Sequence, residues 1–192
     1  MRTAASAPGS IGADGVLRSR PMPAVILLWG APAAGKTSVA RCLVEGYRAR
    51  TGHLLPRLGT DDIRRAIIGA EFIAEVRNSV YDGIVSICEK IAEAGLDCLV
   101  DGNYLDGWRR RQIVDVCFRT SSRLISAHVR CDLDERLRRN ALRPASEQVP
   151  EPWVRQAHEL AERNVGDASI VVDGVRETPE SAATRLLDAL KT

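Results

Sequence analysis

AVILLWGAPAAGKTSVARCLV, residues 24–44, changes periodicity midway. AVILL (24–28) is continuously apolar and bounded by Pro23 and Gly30. That is the pattern of a strand buried on both faces of a sheet. Downstream, Val39, Cys42, Leu43 and Tyr47 recur at helical spacing. Between the two lies Gly30, four residues, then Gly35, Lys36 and Thr37, the spacing G-x-x-x-x-G-K-[ST] between strand and helix. Gly30 lets the chain turn tightly. Small residues at Ala31, Ala33 and Ala34 let backbone N–H groups approach phosphate oxygens, and the helix N-terminus adds partial positive charge. The chain has 24 arginines but only three lysines, Lys36, Lys90 and Lys191. A lysine at position 36 delivers a compact point charge where a planar guanidinium is too bulky. Thr37 offers a hydroxyl to Mg²⁺. The expected nucleotide-binding set is Gly30, Ala33, Ala34, Gly35, Lys36, Thr37 and Ser38, with Lys36 also catalytic.

The rest of the chain repeats this alternation. HLLPRLGT (53–60) reads as a second strand that Pro56 confines to an edge. DCLVDG (97–102), LISAHVRC (124–131) and ASIVVDG (168–174) read as further strands. From Val76 to Ala94, the residues Val80, Ile84, Ile87, Cys88 and Ile91 form one apolar stripe that Gly95 ends. Further helices are expected near 106–118, 133–142 and 151–164, with ESAATRLLDAL closing the chain. Such alternation predicts an α/β domain with a parallel sheet and helices on both faces. The 192 residues suit one domain over 23–192, after an aperiodic leader over 1–22. A net charge of +2 gives no general case for nucleic-acid binding. The longest apolar run, AVILLW, is too short to span a membrane. Five cysteines without a CxxC pair are expected as mostly buried, reduced side chains of a cytoplasmic protein.

Three further stretches carry polar chemistry. GTDDIRR places Asp61 and Asp62 at the C-terminal edge of the second strand, where open α/β sheets bind ligands. One carboxylate there can accept the proton of an attacking hydroxyl, while the other caps the helix. Arg64, one turn on, can fix that carboxylate or hold an anionic group of an acceptor. In LVDGNYLDGWRRR, Asp101 can hold a water of a Mg²⁺ shell or orient the acceptor, and Asn103 can hydrogen-bond it. Arg109 to Arg111 read as a solvated helix face, from which one could reach an anionic acceptor. In DLDERLRRNALRP, Arg136, Arg139 and Arg143 share one helix face, where guanidiniums fit charge developing on a transferring phosphoryl group. Alternatively that face is a surface paired with Asp132, Asp134 and Glu135. Pro144 and Pro150 bracket ASEQV, the pattern of a mobile lid.

GAPAAGKTS, TDDIRR, LVDGNYLDGWRRR and ERLRRNALRP followed by VPEPWVRQ together resemble the P-loop kinases. The nearest resemblance is to the group of chloramphenicol phosphotransferase, zeta-type toxin kinases and the kinase module of polynucleotide kinases. It covers roughly residues 24 to 190. It implies a three-layer P-loop NTPase fold, with a five-stranded parallel sheet in the order 2-3-1-4-5 and a small helical lid. It implies ATP and Mg²⁺, with Asp61 as general base. Asp62, Arg64, Asp101 and Asn103 then lie beside the acceptor, and Thr37 and Asp101 at the metal. Arg139 and Arg143 become the lid arginines, Arg139 flanking the nucleotide and Arg143 catalytic. Gly102 stands where related sequences often carry serine or threonine. The activity expected is γ-phosphate transfer to a hydroxyl of a small molecule, a metabolite or an antibiotic-like compound. A 5′-hydroxyl of a nucleic acid is the alternative acceptor. A nucleotide-dependent switch is the reading from another class, although it gives no reason for Asp61 and Arg64.

Overall fold

The computed structural model describes residues 22–69 and 73–191, so the leader expected over 1–22 lies outside the described residues except for Met22. Strand β1 (Ala24–Trp29) is central and wholly buried. It pairs in parallel with β3 (Cys98–Gly102) on one side and β4 (Arg123–Arg130) on the other. Outside these lie β2 (Arg57–Gly59) and β5 (Ile170–Asp173), completing a five-stranded sheet in the order 2-3-1-4-5. The short β2 begins immediately after Pro56, at the sheet edge where a missing N–H costs no ladder bond.

Alternation along β1 explains its unbroken apolar sequence. Ile26 and Leu28 enter a core with Val39, Leu43, Leu186 and Leu187, beneath α1 (Lys36–Thr51) and α7 (Pro179–Ala189). Val25, Leu27 and Trp29 enter the opposite core, with Ile84 and Cys88 of α3 (Ala74–Glu93) and Ile113 and Val116 of α4 (Gly107–Thr120). Four cysteines, Cys88, Cys98, Cys117 and Cys131, are buried and unbridged, while Cys42 is half-buried. The stripe of α3 is narrower than its periodicity predicts, because Ile87 is 45% exposed. Gly95 closes this helix in the left-handed region, φ 72°, and Leu96 N–H reaches back to the Ile91 carbonyl.

Helix α2 (Thr60–Ile68) starts directly from β2, while α5 (Leu133–Ala141) and α6 (Glu151–Arg163) follow β4. The strand C-termini thus open onto the loop before α1, the start of α2 and the α5–α6 connection. Among the described residues no helix is long and apolar enough to cross a membrane.

Candidate active site

Gly30 leaves β1 with φ 148°, and a Cβ at this position would lie 2.6 Å from the Val129 carbonyl oxygen. No side chain fits between the loop and β4 at that point. Ala33 and Gly35 also take positive φ, 61° and 101°, so successive N–H groups curl toward one centre. A left-handed alanine is uncommon and costs energy, and such strain concentrates at ligand-binding turns. The Lys36 ammonium lies across the curl, donating to the Ala31 carbonyl at 3.0 Å and to Asn103 Oδ1 at 3.1 Å. Burial lowers its pKa to about 8. Asp101 and Asp61 oppose that shift, whereas Arg136 and Arg143 reinforce it. Thr37 and Ser38 are exposed at the start of α1.

Residues Ala33 to Ser38 line one cavity of about 1510 Å³ together with Asp61, Asp62, Arg64, Asp101, Asn103, Arg139 and Arg143. Of the residues expected to bind nucleotide, acceptor or metal or to act in catalysis, Gly30 alone does not line this cavity, its N–H donating to the Asn103 carbonyl. Asp61 is open to solvent, and its Oδ1 lies 4.0 Å from Arg64 Nε. The expected aspartate cap is absent: Gly59 occupies the N-cap of α2 and no side chain caps it. Asp62 instead pairs with Arg57 at 3.2 Å, while both aspartates still complement the dipole of α2 from its first turn.

Arg57 escaped the sequence reading. It grips the buried Asp101 through Nη2 at 2.6 Å and Nε at 3.2 Å, both to Oδ2. One guanidinium therefore ties Asp101 to Asp62, and the Asp101 Oδ1 takes no part in that grip. Asn103 does not bond to Asp101, since its amide oxygen is turned to Lys36. Gly102 also finds its reason here. A Cβ there would meet the Thr60 side chain at 2.7 Å, so the threonine that opens α2 fills the space a larger residue would need.

The three arginines expected on one face of α5 separate. Arg139 reaches from Glu135 to the carbonyls of Ala34, at 3.3 Å, and Gly174, at 2.8 Å, joining the curl before α1 to the end of β5. Arg138 and Arg139 hold the Glu135 carboxyl down to about 2. Arg143 lies past the helix end and lines the cavity. Arg136 is not at the surface at all. It is fully buried, with Nε donating to the Cys131 carbonyl and both terminal nitrogens unpartnered.

The solvated face expected of Arg109 to Arg111 holds only for Arg111. Arg109 lies over the Tyr81 ring at 4.1 Å and the Trp108 ring at 4.3 Å. Arg110 lies over Trp29 at 4.4 Å, donates to the Tyr104 and Leu105 carbonyls, and pairs with Asp167. The segment bracketed by Pro144 and Pro150 is also tied down. The Asn140 amide bonds both the N–H and the carbonyl of Val149, and Gln148 donates to the Ala141 and Arg143 carbonyls.

The residues present suit a nucleoside triphosphate with Mg²⁺. The curl of N–H groups and Lys36 match phosphate oxygens. The Thr37 hydroxyl and one carboxylate, Asp101, match an ion that keeps most of its waters. Among the described residues no cluster of three or more His, Cys, Asp or Glu could hold a metal without such help.

Residues 25–166 match the family described as AAA domain. No curated protein matches the chain. Among solved structures, the Mycobacterium tuberculosis APS kinase in complex with AMPPNP and APS is similar, at 17% identity and a TM-score of 0.62, covering 90% of this chain and 99% of that one. A gluconokinase from Sinorhizobium meliloti is 17% identical with a TM-score of 0.61, covering 90% and 98%. The Pnkp1/Rnl/Hen1 RNA repair complex is 15% identical with a TM-score of 0.64, covering 78% of this chain and 47% of that one. These likenesses establish a shared fold.

Proposed function

This chain belongs to the AAA domain family, and on that premise we propose that it is an ATP-dependent phosphotransferase moving the γ-phosphate to a hydroxyl of a small molecule. We place it with the chloramphenicol phosphotransferase, zeta-type toxin and polynucleotide kinase group on its motif order. The observation that carries the reading is that Asp61 and the phosphate-binding curl line the same cavity. A nucleotide switch has no use for a solvent-facing carboxylate held beside Arg64 at that position. That an APS kinase and a gluconokinase share the fold supports the same class.

Thr37, with Asp101 through water, would hold Mg²⁺, which would supply neutralisation of charge on the phosphates. The chain supplies the remainder. Backbone N–H groups from Ala33 to Ser38 fix the phosphates, and Lys36 follows the charge toward the transferring group. Asp61 orients the acceptor hydroxyl and takes its proton as the oxygen attacks. Arg143 meets the charge spreading over the equatorial oxygens, while Arg139 flanks the nucleotide from the side of β5. Asp62, Arg64 and Asn103 border the acceptor.

The test is a γ-phosphate transfer screen over small hydroxyl compounds, nucleosides and a 5′-hydroxyl oligonucleotide. Transfer to a small molecule, with Michaelis constants only weakly dependent on salt, is expected. Efficient transfer to the oligonucleotide, with Michaelis constants climbing steeply with salt, would move the assignment to polynucleotide kinase. Slow hydrolysis with every acceptor refused would favour the switch.

A further inference from the structure

The wall of the cavity built by β2, α2 and α3 is rich in arginine, and the partners of those arginines set the charge of what can bind there. Arg57 is matched by Asp101 and Asp62. Arg64 is matched by Asp61, and Arg65 by Glu147 at 3.5 Å. Arg77 differs. It lines the same cavity from α3, half-buried, and among the described residues no carboxylate pairs with it. Its contact is Tyr81, whose ring centroid lies 5.8 Å from the guanidinium carbon.

A second cation lies against that ring. Arg109 is buried, 4.1 Å from the ring centroid; its Nη2 donates to the neutral Asn78 Oδ1 at 2.5 Å, Nε and Nη1 make no hydrogen bond, and Asp106 lies 3.9 Å from Nε. Burial raises the Tyr81 pKa, so the phenol stays neutral and offers neither guanidinium a counter-charge. Two like charges on one buried ring are tolerable when an anion completes the group. Only Arg77 of the pair reaches the cavity.

We propose that the acceptor is a hydroxyl compound bearing an anionic group, a carboxylate, phosphate or sulfate, that binds Arg77 while its hydroxyl faces Asp61. This rests on the phosphotransferase reading above and narrows its substrate class. The planar fork of arginine suits such oxyanions, which can accept two parallel hydrogen bonds from it.

The experiment is calorimetric titration of the full chain, loaded with a non-hydrolysable ATP analogue, with matched compounds: aldoses, the corresponding aldonic acids and the corresponding sugar phosphates. At least one anionic series is expected to bind ten-fold or more tighter than its neutral counterparts, and the two anionic arms tell which oxyanion the subsite takes. Arg77→Gln should erase that preference while nucleotide affinity is kept. Arg77→Lys should retain part of it. Equal affinity for charged and neutral members, binding of neither, or a preference that survives Arg77→Gln would overturn the proposal. Transfer assays on the same compounds separate the two layers. Transfer confined to neutral members would overturn the anionic acceptor and leave the kinase reading intact. Arg77-dependent binding of acids without transfer would uphold the subsite and remove the kinase.

Discussion

Lys36 has a folded-state pKa of about 8 against an ordinary 10.5, with burial the leading cause. Its charged form is therefore disfavoured by folding below pH 8, and that penalty fades as pH rises from 8 toward 10.5. Phosphates reverse the preference, so nucleotide affinity should be highest below pH 8 and fall above it, as a fluorescent ATP analogue titrated across pH 6–10 would reveal. Lys36→Met should cut turnover by about 10²-fold or more. It should leave the unfolding temperature of the nucleotide-free protein at pH 7 no lower than wild type. A clear drop in that temperature would mean that the ammonium's bonds to Ala31 and Asn103 outweigh its burial. The carboxylates divide in the same way. Asp61→Asn should lose most transfer at near-normal nucleotide affinity, because Asp61 is held only loosely by Arg64. Asp62→Asn should cost less in rate but weaken the grip of Arg57 shared with Asp101. Reversed losses in steady-state kinetics would exchange the two assignments. Arg57 could not be read from the sequence, because its partner Asp101 lies on a neighbouring strand and no periodicity links the two.

At the scale of elements, the connection from α5 to α6 carries the clearest difference between sequence and structure. Flanking prolines and polar composition read as a mobile lid, yet Asn140 clasps the Val149 backbone from both sides. Asn140→Ala leaves that N–H and carbonyl to find other partners, at a cost of about 1–3 kcal/mol. The expected signature is faster hydrogen exchange at Val149, with a lower unfolding temperature. Turnover should fall as well, since Arg143 sits within the clasped segment. Unchanged exchange at Val149 would show that the clasp contributes nothing. Arg143→Ala should lower turnover more than nucleotide affinity, since its contact strengthens as charge spreads. Apolar runs and helical stripes were enough to read nearly every strand and helix. They misled at Arg109 and Arg110, where aromatic rings and backbone carbonyls accept guanidiniums that charge alone assigns to water. A run of three arginines looks alike in either setting. Beside the neighbouring Trp108, the rings that bury two of them, Tyr81 and Trp29, come from a distant helix and a distant strand.

For the whole molecule, the site spans the ends of β1, β2, β3 and β5, so a bound nucleotide reports on the entire sheet. A non-hydrolysable ATP analogue at about 100 times its Kd should stabilise the fold by about 2.7 kcal/mol. At about 2–4 °C per kcal/mol for this size, the unfolding temperature should rise by roughly 5–10 °C in a thermal scan. Binding of the analogue without such a shift would mean that it binds the unfolded chain about as well as the folded one. Parallel alternation was legible in the sequence, but the strand order came with the family resemblance, because periodicity carries no information on which strands are neighbours. That order has a bearing on synthesis. Val25 of β1 pairs with Cys98 and Leu124, and β1 has no other strand neighbours in the sheet. At about 5–20 residues per second, AVILLW waits on the order of 5–20 s for β4 to be made. The turn between β1 and α1 is thus among the earliest parts of the described chain to be translated and among the last to take its final form. Until then one of the most apolar segments of the nascent polypeptide remains without the partners that will enclose it.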